Sequence, residues 1–530
     1  MYEKKKLKFS TLISTTFVCL IIQLIDMLSY GNALFFTNSN QQLSKILKPD
    51  DIAYLKNCGS LCYIYSTIIS QLGFNLFSRI PAAILSGVIV ESLRSMSNNY
   101  GKVILQYTND LDGYMSNFLI LLLVTTLTFS FVSLLLAVFD LGQFITFIPK
   151  SVINGCFGTI GLIQFPVGWE CLVPDKFTKN SIFLVIVGLT IALILFGLEY
   201  RWPTVDFIIP LYSIIIIILS YIIFFSNFFK HPSKNRFDLI RELNILPQKE
   251  NILHFTYIFK HFYIQKVEWK IILYCMPRIF SIVFFNIIYS AVNLPGYQYS
   301  TNIKLNFSKE LAAQGYTNLF TCIPSYFVAS YSITFYRIGG NRKLYGFVSA
   351  ISLLTTAIFG LFLKGYIPTF LLSLVPFLLC LTFLHMAFFK CLKDVSYIEY
   401  FISVVICVCT YFTKEFALGL ILGISLYLII FFFEYCFIDK RSLRELNGYL
   451  KRTPMYHIRV SGNREFQSIL DRSEIFEKVQ VLKQENIKEQ TSGMLRHGII
   501  KDKKIMKDEK SRNDTLKKDE ELNDDTMKND

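Results

Sequence analysis

Long apolar runs follow one another along most of this chain and leave few folds open to it. They lie near 9–36, 61–77, 80–95, 114–139, 149–167, 181–199, 205–226, 270–294, 314–329, 331–348, 350–363, 368–389, 397–413 and 416–437. About 20 apolar residues let one helix cross a bilayer core, where only helices and closed barrels satisfy their own backbone groups. The runs therefore predict an all-α polytopic membrane protein with about 14 transmembrane segments, counting part-crossings. An even number puts both termini on one side. The Lys4-Lys5-Lys6-Leu7-Lys8 start and the Lys440-Arg441-Ser442-Leu443-Arg444 exit make that side cytosolic. The first run is far longer than a signal-peptide core and holds Asp26, so it reads as an uncleaved helix.

Charge is distributed accordingly. Only 17% of the 530 residues are charged, against about 25% in soluble chains. Residues 441–530 hold 20 Lys/Arg and 17 Asp/Glu of the chain's 53 and 39, leaving the first 440 residues poor in charge. The net charge of +14 has no basic face on a soluble fold to act through, so nucleic acid is not an expected partner. Basic residues at membrane edges, facing anionic lipid, explain it. Six of the 12 cysteines, Cys19, Cys156, Cys275, Cys380, Cys407 and Cys409, lie inside apolar runs without C-x-x-C spacing and read as small hydrophobes. No metal or cofactor is expected. The chain divides into a cytosolic start (1–8), a transmembrane domain (9–437) with a polar connector at 227–269, and a charged cytosolic tail (438–530). That tail is expected to be disordered from about 501, where Lys, Asp, Glu and Asn dominate. The connector, with eight Lys/Arg if Lys270 is counted, would face outward, against the charge bias.

Two runs, 80–95 and 331–348, are too short or interrupted for ordinary spans. Ser78-Arg79-Ile80-Pro81 introduces the first, which contains Ser86-Gly87; Ile323-Pro324-Ser325 precedes the second, which runs into Gly339-Gly340. Paired broken segments in corresponding halves point to a transporter's substrate site, with helix N-termini offering N–H groups inside the membrane. The competing reading is a pair of structural re-entrant hairpins. Ionisable groups at membrane depth are functional candidates. Asp26 and Glu91 are carboxyls of the kind proton coupling requires, although Glu91 also fits a snorkelling helix end beside Arg94, and Asp26 a capping role. Ser86, Gly87 and Val88 in the first segment, with Ser330, Ser332 and Thr334 in the second, would shape an oxyanion site from hydroxyls and helix-start N–H groups. Small polar residues also pack helices in membranes. Enzyme signatures are thin: His385 stands alone in an apolar run, and there is no H-E-x-x-H, G-x-S-x-G or Walker loop.

Three stretches resemble the SulP (sulfate permease) anion transporters, especially their fungal and protist branch. They are Asp26-Met27-Leu28-Ser29-Tyr30-Gly31 through Tyr65–Gln71 to Glu91; Phe147-Ile148-Pro149-Lys150-Ser151-Val152-Ile153-Asn154-Gly155; and Glu310-Leu311-Ala312-Ala313-Gln314-Gly315-Tyr316-Thr317-Asn318-Leu319. The resemblance spans roughly 10–437. It implies a 7+7 inverted repeat, with a core domain (about 9–139 and 270–363) and a gate domain (about 149–226 and 368–437). Ile148-Pro149 and Ile367-Pro368 would start equivalent helices, short helices 3 and 10 would meet at one site, and core would move against gate. A homodimer is expected from the resemblance alone. Two departures stand out. Only 90 residues follow Lys440, so a complete C-terminal STAS domain is not expected, and Ser330-Tyr331-Ser332-Ile333 stands where many animal members carry an arginine. The leading expectation is secondary transport of sulfate, bicarbonate or a similar oxyanion by exchange or proton symport, in the plasma membrane or an internal one. The alternative is a proton-coupled carrier of amino acids or cationic solutes on the same fold.

Overall fold

Eight helical stretches among the described residues are long and apolar enough to cross a membrane. The structure is a computed structural model that describes residues 9–35, 48–141, 150–173, 179–202, 208–226, 236–247, 253–394, 397–413 and 416–437. All of these fall in the first of the chain's two units, Met1–Ser468; the charged tail expected at 438–530 lies outside the described residues. In chain order the helices are α1 (Phe9–Tyr30), α2 (Pro49–Phe77), α3 (Val90–Ile104), α4 (Leu111–Val138), α5 (Lys150–Leu172), α6 (Lys179–Arg201), α7 (Ile208–Phe225), α8 (Arg236–Glu242) and α9 (Trp269–Thr301). There follow α10 (Phe307–Asn318), α11 (Ala329–Arg337), α12 (Lys343–Lys364), α13 (Thr369–Leu372), α14 (Leu374–Leu384), α15 (Cys391–Asp394), α16 (Tyr397–Thr413) and α17 (Phe416–Phe437). Two three-residue strands, β1 (Ser86–Val88) and β2 (Ser325–Phe327), stand just before α3 and α11.

Several expected runs change shape. The run at 80–95 holds no helix before Val90: it bends at Pro81, runs as strand over Ser86–Val88 and becomes helix only from Val90. The run at 314–329 divides into the end of α10 and β2, while 331–348 divides at Gly339, whose φ of 103° suits a residue without Cβ. The expected runs at 331–348 and 350–363 redistribute into α11 and the single helix α12. Ile148 and Pro149 lie outside the described residues; Pro368 does precede α13.

Helices α6 and α7 turn Phe183, Ile186, Ile194, Ile218 and Ile222 outward, as contact with lipid chains demands. Helix α2 is the opposite case. It is 29 residues long yet buries Asn57, Ser60, Ser66, Thr67, Gln71 and Asn75, because protein surrounds it. It meets the end of α1 backbone to backbone: a Cβ on Gly31 would stand 2.5 Å from Ser60 Cα, and one on Gly59 would strike the Gly31 carbonyl. Small residues allow this approach, which van der Waals packing rewards in lipid. A second apolar cluster joins Val152 and Ile160 of α5, Phe285 of α9, Phe383 and Met386 near the end of α14, and Ile406 of α16.

Strands β1 and β2 pair antiparallel, Ser86 opposite Phe327 and Val88 opposite Ser325. Two bonds extend the ladder, Ile89 N–H to the Pro324 carbonyl (3.0 Å) and Val328 N–H to the Leu85 carbonyl (3.2 Å). Extended backbone at membrane depth needs partners for its N–H and C=O groups, and side-chain amides supply several of them. Asn75 donates to and accepts from the Ile84 backbone, at 3.0 and 3.2 Å. Asn318 does the same for Ser325, at 2.8 Å each way. Within the third sequence stretch, Glu310 accepts from Ser78 Oγ (2.6 Å) and Arg79 N–H (2.9 Å), tying α10 to the end of α2. We expect Asn318→Ala to lower stability by about 2 kcal/mol, since two buried backbone groups at Ser325 lose their partner. Thermal unfolding in detergent measures this; an unshifted midpoint would show that other groups replace the amide.

The connector is partly structured. Tyr54 Oη donates to the Tyr257 and Ile258 carbonyls, Asn117 holds the Lys266 carbonyl and the Glu268 N–H, and Thr369 N–H donates to the Ile245 carbonyl. Residues 245–247 and 253–268 thus gather the starts of α2, α4 and α13. Lys266 donates to Asp110 (2.6 Å) and Asp112 (2.7 Å); these bonds raise its pKa above the usual lysine range. Being exposed, the pairs add little stability. Residues 227–235 and 248–252 of the connector lie outside the described residues.

Candidate functional site

Extended backbone and helix starts meet α1, α9 and α14 around a cavity of about 130 Å³. Asp26 projects into it from α1, and Glu91 from the first turn of α3. Both are buried, at 4% and 2% exposure. Each carboxylate accepts one tyrosine hydroxyl: Tyr331 donates to Asp26 Oδ2 at 3.0 Å and Tyr289 to Glu91 Oε1 at 2.6 Å. The second oxygens, Asp26 Oδ1 and Glu91 Oε2, are buried without a hydrogen-bond partner. So is Gln23 Oε1, on the same wall, whose amide nitrogen is turned away to the Ser86 carbonyl at 3.3 Å.

The inventory is one-sided. Three acceptor oxygens find no donor among the protein's own groups, and burying such groups is costly unless a ligand, water or a proton completes them. Glu199 of α6 adds a third carboxylate to the lining, and no lysine, arginine or histidine lies among the lining residues. Tyr63 and Tyr326 bring two more rings beside Tyr289 and Tyr331, and Phe157 and Phe383 form an apolar wall. Aromatic faces attract a desolvated cation. Chemically the cavity suits a positively charged ligand with several N–H donors. For an anion the cavity offers the starts of α3 and α11 and neutral donors such as the hydroxyls of Ser330, Tyr63 and Tyr326, but no positive side chain.

Of the residues singled out in the sequence, Asp26, Glu91, Gly87, Val88 and Ser330 line this cavity. Ser86, Ser332 and Thr334 do not. The Ser86 hydroxyl lies 3.0 Å from Ser70 Oγ, and its N–H donates to Gln71 Oε1 at 2.8 Å. The Ser332 hydroxyl accepts from the Leu85 N–H and donates to the Leu85 carbonyl, both at 3.0 Å, so it braces the ribbon. Thr334 sits a turn into α11. Sequence reading missed Gln23, Glu199 and the four tyrosines. Tyr326 and Tyr331 flank the second broken segment and were open to notice, whereas Tyr63, Tyr289 and Glu199 lie within long apolar stretches where nothing marks them out. His385 packs its ring against Phe196 and Phe389, away from the lining. Among the described residues, no group of His, Cys, Asp and Glu is arranged to hold a metal, and the cysteines are unbridged.

Comparison with known proteins follows the same fold. Residues 171–406 match the model of the sulfate permease family. A curated relative, the vacuolar basic amino acid transporter VSB1 of Saccharomyces cerevisiae, is 24% identical over 484 residues, 83% of this chain and 42% of the relative. The chain thus spans less than half the length of that relative. Among solved structures, the transmembrane domain of a cyanobacterial bicarbonate transporter, BicA, superposes with a TM-score of 0.52 at 16% identity, over 79% of this chain and 99% of that one. The murine Solute Carrier 26 family member A9 anion transporter, in an inward-facing state, gives 0.53 at 13%, over 81% and 70%.

Proposed function

We propose that this chain, which belongs with the sulfate permease family through residues 171–406, is a secondary carrier of cationic solutes, exchanging basic amino acids for protons. The observation that carries the reading is the pair of half-satisfied carboxylates, Asp26 and Glu91, in a cavity whose lining holds no basic residue. A proton and a cationic substrate compete for the same oxygens. Release of one therefore accompanies binding of the other, which makes the coupling antiport. The yeast relative's name, a vacuolar basic amino acid transporter, supports the substrate class and suggests an acidic internal compartment as the host membrane.

Alternating access on this reading moves a core, carrying α1, the ribbon and α3 with α11, against a gate built on α5, α14 and α16. The 7+7 inverted repeat belongs to the same proposal. Its support is local: β1 and β2 make equivalent bonds on either side, and Asn75 and Asn318 hold the backbone of the two halves in the same two-way fashion.

The test is uptake of labelled arginine into proteoliposomes of the purified full chain, with acidic interiors. Saturable accumulation that lysine displaces, that sulfate leaves alone and that a protonophore collapses is the expected result. Sulfate uptake displaced by bicarbonate, with arginine inert, would instead establish an oxyanion carrier. That second reading draws on the family match and on the two helix starts that face the cavity.

A further inference from the structure

Each of the two helices that carry Asp26 and Glu91 is fastened, one turn beyond its carboxylate, to the same turn of α5. Arg94 stands three residues after Glu91 on α3, and its Nη2 donates to Glu170 Oε1 at 2.8 Å. Ser29 stands three residues after Asp26 on α1, and its carbonyl accepts from Cys171 Sγ at 3.8 Å. Three residues are about 4.5 Å of helix, so both ties lie close beside the cavity without lining it. Glu170 and Cys171 are consecutive and belong to the last turn of α5.

The ties stand at one end of the cavity. A Cβ on Gly168 of α5 would strike the Phe377 ring and one on Gly161 would meet Leu384, so α14 runs antiparallel to α5. Gly188 of α6 lies against Leu172, at the finish of α5, and Phe196 lies against His385, just past α14. Helix α6 therefore runs away from Glu170. Glu199, the cavity's third carboxylate, is about 16 Å beyond Gly188. The cavity extends toward Glu199, and the Arg94–Glu170 pair stands across its other end.

That pair also joins the two bodies of the alternating-access reading, α3 of the core to α5 of the gate. Other parts of the boundary are apolar: Phe157 meets Tyr289 edge-on, and Phe285 of α9 packs with Val152 and Ile160 of α5. Apolar faces slide by trading one apolar neighbour for another, whereas a charge-assisted bond is directional and holds until it breaks. This bond is of the breakable kind. The guanidinium is held by one nitrogen instead of two, and Nη1 is buried without a partner. The two side chains are only 11% and 15% exposed, so parting the helices would return both charges to water and offset the lost bond.

From this we infer that Arg94 and Glu170 form a latch that shuts this end of the cavity and opens once in each transport cycle, releasing α1 and α3 together from α5. The inference rests on the core-and-gate reading given above and adds the bond that divides its two access states. Both are positioning residues, acting on the solute only through that movement.

Cys171 reports the latch directly, being half-buried, unbridged and next to Glu170. The experiment follows its labelling by a polar maleimide, read by mass spectrometry, in the full chain in lipid nanodiscs, where both faces are reachable. Wild type is expected to label slowly, and Glu170→Gln and Arg94→Gln to label roughly tenfold or more faster, the value of one charge-assisted bond. Arg94→Lys should stay near wild type, because one nitrogen suffices. Cys156 and Cys380, buried within the gate, should keep their wild-type rates throughout. Unchanged Cys171 rates in both glutamine variants would overturn the latch. So would equal acceleration of all three cysteines, which marks a packing role. If neither variant folds, wild type decides: a Cys171 that stays unlabelled for hours, with and without saturating arginine, overturns it. The labelling needs no transported solute, so arginine uptake that fails while Cys171 behaves as expected removes the cation reading and leaves the latch.

Discussion

Glu91→Gln is expected to remove proton-driven accumulation of arginine while leaving arginine–arginine exchange measurable. The glutamine keeps an acceptor for Tyr289, now 2.6 Å from Glu91 Oε1, so the local hydrogen bond survives. What disappears is the group able to carry either a proton or the solute's charge in a low-dielectric site. Asp26 still offers one carboxylate to the cation, which is why exchange continues. Asp26→Asn together with Glu91→Gln should weaken binding by roughly 100-fold or more, because a buried charge left without its partner costs about 3 kcal/mol. Initial rates in acid-interior and pH-matched proteoliposomes measure both effects. Full stimulation by the gradient in Glu91→Gln would remove it from the coupling role.

The second large effect is on stability. Gly59→Val should lower the stability of the folded protein by about 3 kcal/mol, the upper end of what overpacking costs. Its Cβ would strike the Gly31 carbonyl, and backbone cannot rotate aside as a flexible side chain can. In the reciprocal direction a Cβ added to Gly31 would stand 2.5 Å from Ser60 Cα, so there is no slack on that side either. Gly197→Ala on α6 is the control, since a Cβ there meets nothing within 4 Å and its cost should be near zero or favourable. Fluorescence-detected unfolding in detergent compares the two; equal midpoints would mean that α1 and α2 can part without penalty.

The third sequence stretch shows why a motif can be legible while its purpose is not. Glu310, Gly315 and Asn318 resemble a family pattern, yet Glu310 holds Ser78 and Arg79, Gly315 lies against Leu134, and Asn318 completes the backbone before β2. All three serve construction. Ser332 was equally visible as a hydroxyl near a broken segment, but its partner Leu85 is 247 residues away, and only folding shows that the hydroxyl is occupied. Conversely Tyr289 sits in an unremarkable apolar run and ends on Glu91, 198 residues distant.

What the sequence determined by itself were the properties that follow from local composition: helices long enough to cross a bilayer, two places where the helical pattern breaks, and carboxylates at depths where charge is expensive. Those properties depend on neighbours a few residues apart, so one chain suffices to read them. On the reading proposed above, the sign of the site comes from tertiary structure alone. Whether two helix starts serve an anion or two carboxylates serve a cation depends on which oxygens and nitrogens remain unpaired once every other group has found a partner. That accounting runs across α1, α3, α9 and α11, and no segment of the chain contains it.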